Sequence, residues 1–130
     1  MKVVFDSNIL VSALVFPGGR GEAALARIVD ERDQLILSKA ILDETLGVLA
    51  RKFARDPEEL ARVAVFLNDL CRTVKPRHQL EVLEDDPDNR VLECAVSGRA
   101  DAIVTGDKAL LALGNYRGVR ILSLRAYLAD

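Results

Sequence analysis

Two aspartates follow short apolar segments in this sequence, and their positions suggest chemistry at one edge of a sheet. Asp6 comes directly after residues 3–5, and Asp107 comes directly after residues 102–106. Continuous runs of β-branched or aromatic residues are typical of strands that are buried on both faces of a parallel sheet. In such sheets the ligand crevice lies beyond the carboxyl ends of the strands. The two aspartates are therefore a candidate carboxylate pair.

Helix periodicity selects two further acids. Asp88 lies three and four residues before Val91 and Leu92, so it shares the apolar face of the helix predicted after residue 87. A carboxylate in the first turn of that face is also stabilised in its ionised form by the helix dipole. Glu44 lies four residues before Val48, at the edge of the apolar arc of an earlier helix. Both acids are expected to face the crevice.

The acids next to these two are expected to have other roles. Asp86, followed by Pro87, is predicted to be the N-cap of its helix. Glu93 lies on the opposite face from Asp88, so it is predicted to be solvated surface, and its replacement is expected to have almost no effect. Asp43 lies farther from the apolar arc than Glu44.

Four acids that meet in one crevice predict a bound cation. Asp6, Glu44, Asp88 and Asp107 could not all ionise side by side without a counter-charge. Oxygen ligands without His or Cys suit Mg²⁺ or Mn²⁺ rather than zinc. The single histidine, His78, lies in a polar connector, which disfavours Ser-His-Asp and Cys-His mechanisms. A metal that binds phosphate and lowers the pKa of a water molecule catalyses phosphodiester hydrolysis.

The elements that position these acids alternate along the chain. Strands are predicted at 3–5, 35–37, 73–75, 102–106 and 119–122, and helices at 7–16, 21–32, 39–54, 57–70, 87–98, 110–113 and the C-terminus. Alternation of this kind predicts a three-layer α/β/α sandwich around a central parallel sheet of four to five strands. The length of 130 residues, without a linker, predicts a single domain over residues 1–130.

Composition limits the classes of partner and the compartment. The net charge is only -2, so a nucleic-acid partner would need a local basic patch. The chain has neither a membrane-length apolar run nor a signal peptide before its first strand, which predicts a soluble, cytoplasmic protein. Cys71 and Cys94 have no CxxC spacing and are predicted to be buried, reduced thiols.

Three segments resemble a known family in order and spacing. They are VVFDSN at 3–8, SKAILDETLGVLARK at 38–52 and DPDNRVLECAVSGRADAIVTGDKALL at 86–111. With these segments the chain resembles the PIN domain nucleases, and more closely the VapC-like toxins of prokaryotic type II toxin–antitoxin systems. The resemblance covers nearly the whole chain.

The resemblance implies an Mg²⁺- or Mn²⁺-dependent endoribonuclease that acts on RNA and is blocked by an antitoxin. It makes Asp6, Glu44, Asp88 and Asp107 the catalytic metal ligands, with Asn8 and Thr105 as polar neighbours that shape the site. Many members carry further acids near the last two ligands, whereas here Asn89 follows Asp88 and Lys108 follows Asp107. These departures leave open whether one or two metals bind.

Substrate and partner contacts are predicted on other helices. The candidate phosphate contacts are Arg20, Arg51, Lys52 and Arg55. The segment Ile9–Phe16 is unusually apolar, so this helix is predicted either to form a homodimer or antitoxin surface or to be central and covered on both sides.

Three other functions are compatible with parts of the sequence. A phosphoaspartate phosphohydrolase would need an acid two residues after its nucleophile, where Asn8 stands. A catalytically silent RNA-binding or assembly module would have no reason to keep four acids together. A dinucleotide site at Gly19, Gly21 and Ala24 is disfavoured because this turn follows a helix instead of a strand.

Overall fold

The computed structural model describes residues 1–129 and contains helices and strands in alternation. The elements are β1 (Lys2–Phe5), α1 (Ser7–Val15), α2 (Arg20–Val29), β2 (Gln34–Ser38), α3 (Lys39–Phe53), α4 (Pro57–Leu70), β3 (Arg72–Val74), α5 (Asp86–Ser97), β4 (Ala102–Val104), α6 (Lys108–Leu113), β5 (Asn115–Tyr116), β6 (Val119–Leu122) and α7 (Leu124–Leu128). Helices flank a central, mostly parallel sheet, so the predicted α/β/α sandwich is confirmed.

The strands form one sheet in the order β3-β2-β1-β4-β6-β5. The five predicted strands are all parallel, and the sixth strand, β5, pairs antiparallel with β6 at the edge. Arg117 and Gly118 connect β5 to β6, and both have positive φ angles, as a type I′ hairpin turn requires. A strand of two residues is too short to produce a periodic pattern, which is why the sequence did not predict it.

The core explains why apolar and polar residues do not alternate along the strands. Val3, Val4 and Phe5 of β1 and all of β4 are buried, because helices cover both faces of the sheet. Phe5 also packs edge-to-face against Tyr127 of α7, with ring centroids 5.6 Å apart. Strands buried on both faces read as unbroken apolar runs, so the sequence located them correctly.

Helix α1 is a central helix, not a free apolar surface. Ile9, Leu10, Val11 and Ala13 are all buried, and α1 packs on both α2 and α3. Of the two possibilities for this segment, the structure supports the covered helix. Phe16, just after α1, keeps 55% of its surface exposed.

The glycine of α2 has a packing role. A Cβ atom placed on Gly21 would lie 2.7 Å from the backbone nitrogen of Ala13, so only glycine allows α2 to approach α1 this closely. The glycine-rich segment before Ala24 is therefore explained by helix packing, without a dinucleotide.

Both cysteines are free thiols with little exposure to solvent. Cys94 is buried, Cys71 is half-buried, and both are free. Burial raises the pKa of each thiol to about 12, which keeps the thiols protonated at neutral pH. Within residues 1–129 no single helix is long and apolar enough to cross a membrane, and only the bent pair α1 and α2, at 98° to each other, has the combined length and composition.

Candidate metal centre

Asp6 and Asp107 lie at the point where the order of the strands reverses. From β1 the chain adds β2 and β3 on one side, and it then adds β4 and β6 on the other. Phe5 pairs with Val104, and the backbone nitrogen of Asp6 donates to the Val104 carbonyl at 3.0 Å. The crevice between β1 and β4 is the usual ligand site of an open parallel sheet. Asp6 and Asp107 both follow strands that end there.

The hydroxyl of Thr105 connects these two acids. It donates to Oδ2 of Asp6 at 2.7 Å and accepts from the backbone nitrogen of Asp107 at 3.0 Å. Ser7, which is buried, donates to Oδ1 of Asp6 at 3.4 Å. Asn8 is exposed on the first turn of α1. The polar contacts of Asp6 therefore come from Thr105 and Ser7, and sequence reasoning missed Ser7.

Three carboxylates form a compact cluster beside Asp6. Oxygens of Asp85, Asp88 and Asp107 all lie within 4.8 Å of one another. Asp88 is only 5% exposed, and among residues 1–129 its Oδ2 atom is buried without a hydrogen-bond partner. An unpaired buried carboxylate oxygen is costly unless a cation compensates it.

Electrostatics at the cluster show the same need for positive charge. Burial raises the pKa of Asp88, and the charges of Asp107 and Asp85 raise it further, to about 7. Burial also raises the pKa of Asp6 above its usual value of 3.8, although hydrogen bonds from Thr105 and Ser7 act in the opposite direction. The metal-free protein therefore holds these acids together against their mutual repulsion.

Asp107 has a structural role as well. Its Oδ1 atom accepts from the backbone nitrogens of Ala109 and Leu110 at 2.9 and 3.0 Å, so it is the N-cap of α6. These bonds hold the carboxylate in one orientation at the end of β4. Asp107 therefore caps α6 and belongs to the acidic cluster at the same time.

Asp85 is the acid that the sequence did not identify. The N-cap of α5 is Asp85, while Asp86 is its first helical residue, so the predicted cap at Asp86 is wrong. Asp85 makes no side-chain capping bond, and its carboxylate lies with those of Asp88 and Asp107. Proline is common in the first turn of a helix, and placing Pro87 at the second helical position would have moved the cap to Asp85.

Glu44 faces the same crevice from α3 but stays outside the compact cluster. It is half-buried, and together with Asp6 it lines a cavity of about 170 Å³. Other walls of this cavity come from Ile41, Val91 and Arg90. The structure thus brings Asp85, Asp88 and Asp107 together beside Asp6 and places Glu44 in the lining of the cavity that Asp6 also lines.

The outer face of α5 is covered by the connector of residues 75–85. Asn89 accepts from the backbone nitrogens of Val82 and Leu83 and donates to the Leu83 carbonyl, all at 2.8–3.0 Å. Glu93 accepts from the Leu80 nitrogen at 2.6 Å and pairs with Arg90 at 2.8 Å. Glu93 is 7% exposed, so its predicted position on solvated surface is wrong. The helix is buried on both sides, which one-sided periodicity cannot show.

Glu93→Gln is now expected to destabilise the fold by about 1–3 kcal/mol, because it removes the carboxylate that pairs with the half-buried Arg90. Urea unfolding measures the change. Glu81→Gln, on the exposed part of the same connector, is the matched control and should be neutral. Equal midpoints for the two variants would contradict this role of Glu93.

The four predicted phosphate contacts lie at the start of α2 and at or just after the end of α3. Arg51 and Lys52 are in the last turn of α3, roughly 18 Å along its axis from Lys39 at 1.5 Å per residue. Arg55, just beyond, pairs with Glu59 at 3.4 Å. Arg20 is exposed at the start of α2, after the whole of α1. None of these four residues lines the cavity beside Asp6.

The residues of the crevice fit a divalent metal. The donors are carboxylate oxygens, as hard cations prefer, and Oδ2 of Asp88 is buried and unpaired among the described residues. A cation would also offset the repulsion that raises the pKa of Asp88. Fold and site together define a doubly wound α/β protein with a candidate acidic metal centre at its switch point.

The family of the chain follows from comparison with known sequences. The model of the PIN domain matches residues 2–109, and the chain belongs to the PIN domain family. An uncharacterized protein of Methanocaldococcus jannaschii is 29% identical over 117 residues, which cover 87% of this chain and 75% of that protein.

Solved structures share the fold. A structure of VapBC2 from Rickettsia felis bound to a promoter DNA fragment matches with a TM-score of 0.66 and 12% identity, covering 95% of this chain and 98% of that chain. VapC20 of Mycobacterium tuberculosis, a toxin that cleaves the sarcin-ricin loop, matches with a TM-score of 0.64 and 15% identity. The match covers 91% of this chain and 98% of that chain. VapBC-1 of nontypeable Haemophilus influenzae matches with a TM-score of 0.63 and 15% identity, covering 96% of this chain and 99% of that chain. The predicted PIN-like fold is confirmed.

Proposed function

We propose that this PIN domain is a metal-dependent endoribonuclease that hydrolyses RNA phosphodiester bonds with Mg²⁺ or Mn²⁺. The observation that carries the proposal is the cluster of Asp85, Asp88 and Asp107 beside Asp6 at the switch point of the sheet, with one buried carboxylate oxygen unpaired among residues 1–129. Phosphodiester hydrolysis is the reaction that an all-carboxylate site of this kind serves best.

The proposed roles follow from the position of each side chain. Asp6, Asp88 and Asp107 hold the metal, and Thr105 fixes Asp6 and the backbone of Asp107 relative to each other. When bound, a divalent metal would polarise the phosphate and lower the pKa of the attacking water. Glu44, which lines the cavity beside Asp6, is the fourth acid and would orient that water or complete the ligand set.

The biological role that we propose is that of a toxin held in check by an antitoxin in the cytoplasm. Two of the matching structures are VapBC complexes, and a third is a toxin that cleaves the sarcin-ricin loop. The chain also exposes apolar side chains that suit an antitoxin or a second copy, since Phe16 packs on Phe53 at one corner and Val65 and Phe66 protrude from α4. We propose that these exposed apolar side chains bind the antitoxin and mediate homodimerisation.

Incubation of metal-free protein with a mixed RNA pool tests the proposed reaction. Cleavage is expected with Mn²⁺ or Mg²⁺, and none is expected in EDTA, because within residues 1–129 neither the acidic cluster nor the cavity beside it includes a His or Cys that could act without metal. Gel electrophoresis of the products gives the readout. Cleavage that persists in EDTA, or an RNA pool left intact with both metals, would overturn the proposal.

A further inference from the structure

A second groove adjoins the cavity beside the acids, at the carboxyl ends of β2 and β3. It has a volume of about 320 Å³, and its lining includes Ser38, Lys39, Lys75, Arg90 and Glu93. Ala40 and Arg90 line both this groove and the cavity of Asp6 and Glu44. The two spaces are therefore neighbours along one edge of the sheet.

Register fixes how far this groove lies from the acids. Val4 pairs with Ile36, which places Ser38 level with Asp6, and Ser38 pairs with Val74. At about 4.8 Å between neighbouring strands, Val74 lies roughly 10 Å from the strand that ends in Asp6. A polynucleotide bound at the acids covers that distance with a few nucleotides.

The groove is basic although the chain as a whole is not. Lys39, Lys75 and Arg90 contribute three positive charges, and Glu93 contributes one negative charge that is committed to Arg90 and the Leu80 nitrogen. The remaining charge is that of two lysines on an otherwise acidic edge. A local patch of this kind is what a nearly neutral protein needs to bind nucleic acid.

The three cations differ in how they are held. Arg90 is fixed by Glu93 and by the Leu80 carbonyl, and its Nε atom has no hydrogen-bond partner among residues 1–129. Lys75 is exposed without an ion-pair partner in the described part of the chain. Lys39 pairs with Asp43 at 2.6 Å, but both side chains are mostly exposed, so this pair contributes little and can exchange for a phosphate.

The start of α3 adds to the positive potential of the groove. Ser38 caps this helix of 15 residues by accepting from the Ile41 nitrogen, and Lys39 and Ala40 of its first turn line the groove. The helix dipole adds partial positive charge at this end. Arg51 and Lys52 lie at the opposite end of the same helix.

We infer that Lys39, Lys75 and Arg90 bind backbone phosphates of the RNA strand beside the bond that is cleaved. The strand then leaves the acids across the ends of β2 and β3. This inference rests on the proposed function for the identity of the ligand. Contacts to phosphates position a strand without reading its sequence, so binding at this groove should depend little on sequence.

The test measures binding of a fluorescein-labelled, mixed-sequence single-stranded RNA 12-mer in EDTA by anisotropy, over a range of salt concentrations. Lys39→Ala/Lys75→Ala is expected to weaken binding about 10-fold and to reduce the salt slope by about 1.4, or about 0.7 for each lost phosphate contact. Arg32→Ala/Arg99→Ala removes the same charge from the loops that precede β2 and β4, at the opposite edge of the sheet, and should bind like the wild type. Arg90 is left in place because Glu93 depends on it.

Three results would overturn the inference: wild-type binding by the Lys39→Ala/Lys75→Ala variant, equal losses in both double variants, or no binding of this RNA by the wild type. Urea unfolding of both variants shows that neither loss comes from misfolding. Since no metal is present, these results do not depend on turnover. Cleavage of the same RNA by the wild type with Mn²⁺ tests the proposed function separately.

Discussion

Asp6→Asn is expected to abolish metal-dependent RNA cleavage while the protein remains folded. Loss of this carboxylate removes about 4 kcal/mol or more of transition-state stabilisation, which corresponds to a decrease of at least about 1,000-fold in rate. Asparagine can still accept from Thr105 through its carbonyl oxygen. Single-turnover cleavage of labelled RNA with Mn²⁺ measures the loss, and circular dichroism monitors the fold.

The control for this experiment is Asp69→Asn. Asp69 is exposed near the end of α4, so its replacement removes the same charge without touching the crevice. Its cleavage rate should equal that of the wild type. If Asp6→Asn retained more than a tenth of the wild-type rate, Asp6 would not be part of the reacting site.

Asp88→Asn is expected to make the metal-free protein more stable at pH 8, by roughly 1–3 kcal/mol, because asparagine carries no charge into the cluster. Burial, together with the charges of Asp107 and Asp85, raises the pKa of Asp88 to about 7. Between pH 4 and pH 7 the folded wild type therefore holds more protons than the unfolded chain. The contribution of Asp88 to the stability of the wild type is fully present below pH 4 and is lost as the pH rises to 7.

Urea unfolding in EDTA at pH 5 and pH 8 measures this difference. The gain from Asp88→Asn should be small at pH 5 and large at pH 8. Mn²⁺ should then stabilise the wild type more than the variant, because only the wild type keeps the full set of carboxylates. A variant that is less stable than the wild type at pH 8 in EDTA would show that the ionised Asp88 is not strained in the fold.

The sequence predicted the positions of the main acids because local rules determine them. Strands buried on both faces appear as apolar runs, so the ends of β1 and β4, and with them Asp6 and Asp107, could be located. The apolar face of α5 then placed Asp88 correctly toward the sheet. The parallel sheet and its crevice followed from the alternation of the elements.

The rest depended on contacts that have no local pattern. Glu93 seemed solvated because one face of α5 was assumed to be free, whereas the connector of residues 75–85 covers it. The orientation of Asp85 depends on the end of that connector, whose backbone is hydrogen-bonded to Asn89. The basic groove combines Lys39 and Lys75, which are far apart in sequence, so no local pattern could have shown it.

A crystal structure of the protein grown with Mn²⁺, with anomalous differences recorded at the manganese edge, tests the central claim most directly. The account predicts an anomalous peak within about 2.5 Å of Oδ2 of Asp88, with ligands that include Asp6 or Asp107. The same crystals of Asp88→Asn should show a weaker peak or none. An ordered crevice without manganese in the wild type, or manganese bound only elsewhere on the chain, would contradict the metal centre and the nuclease that is built on it.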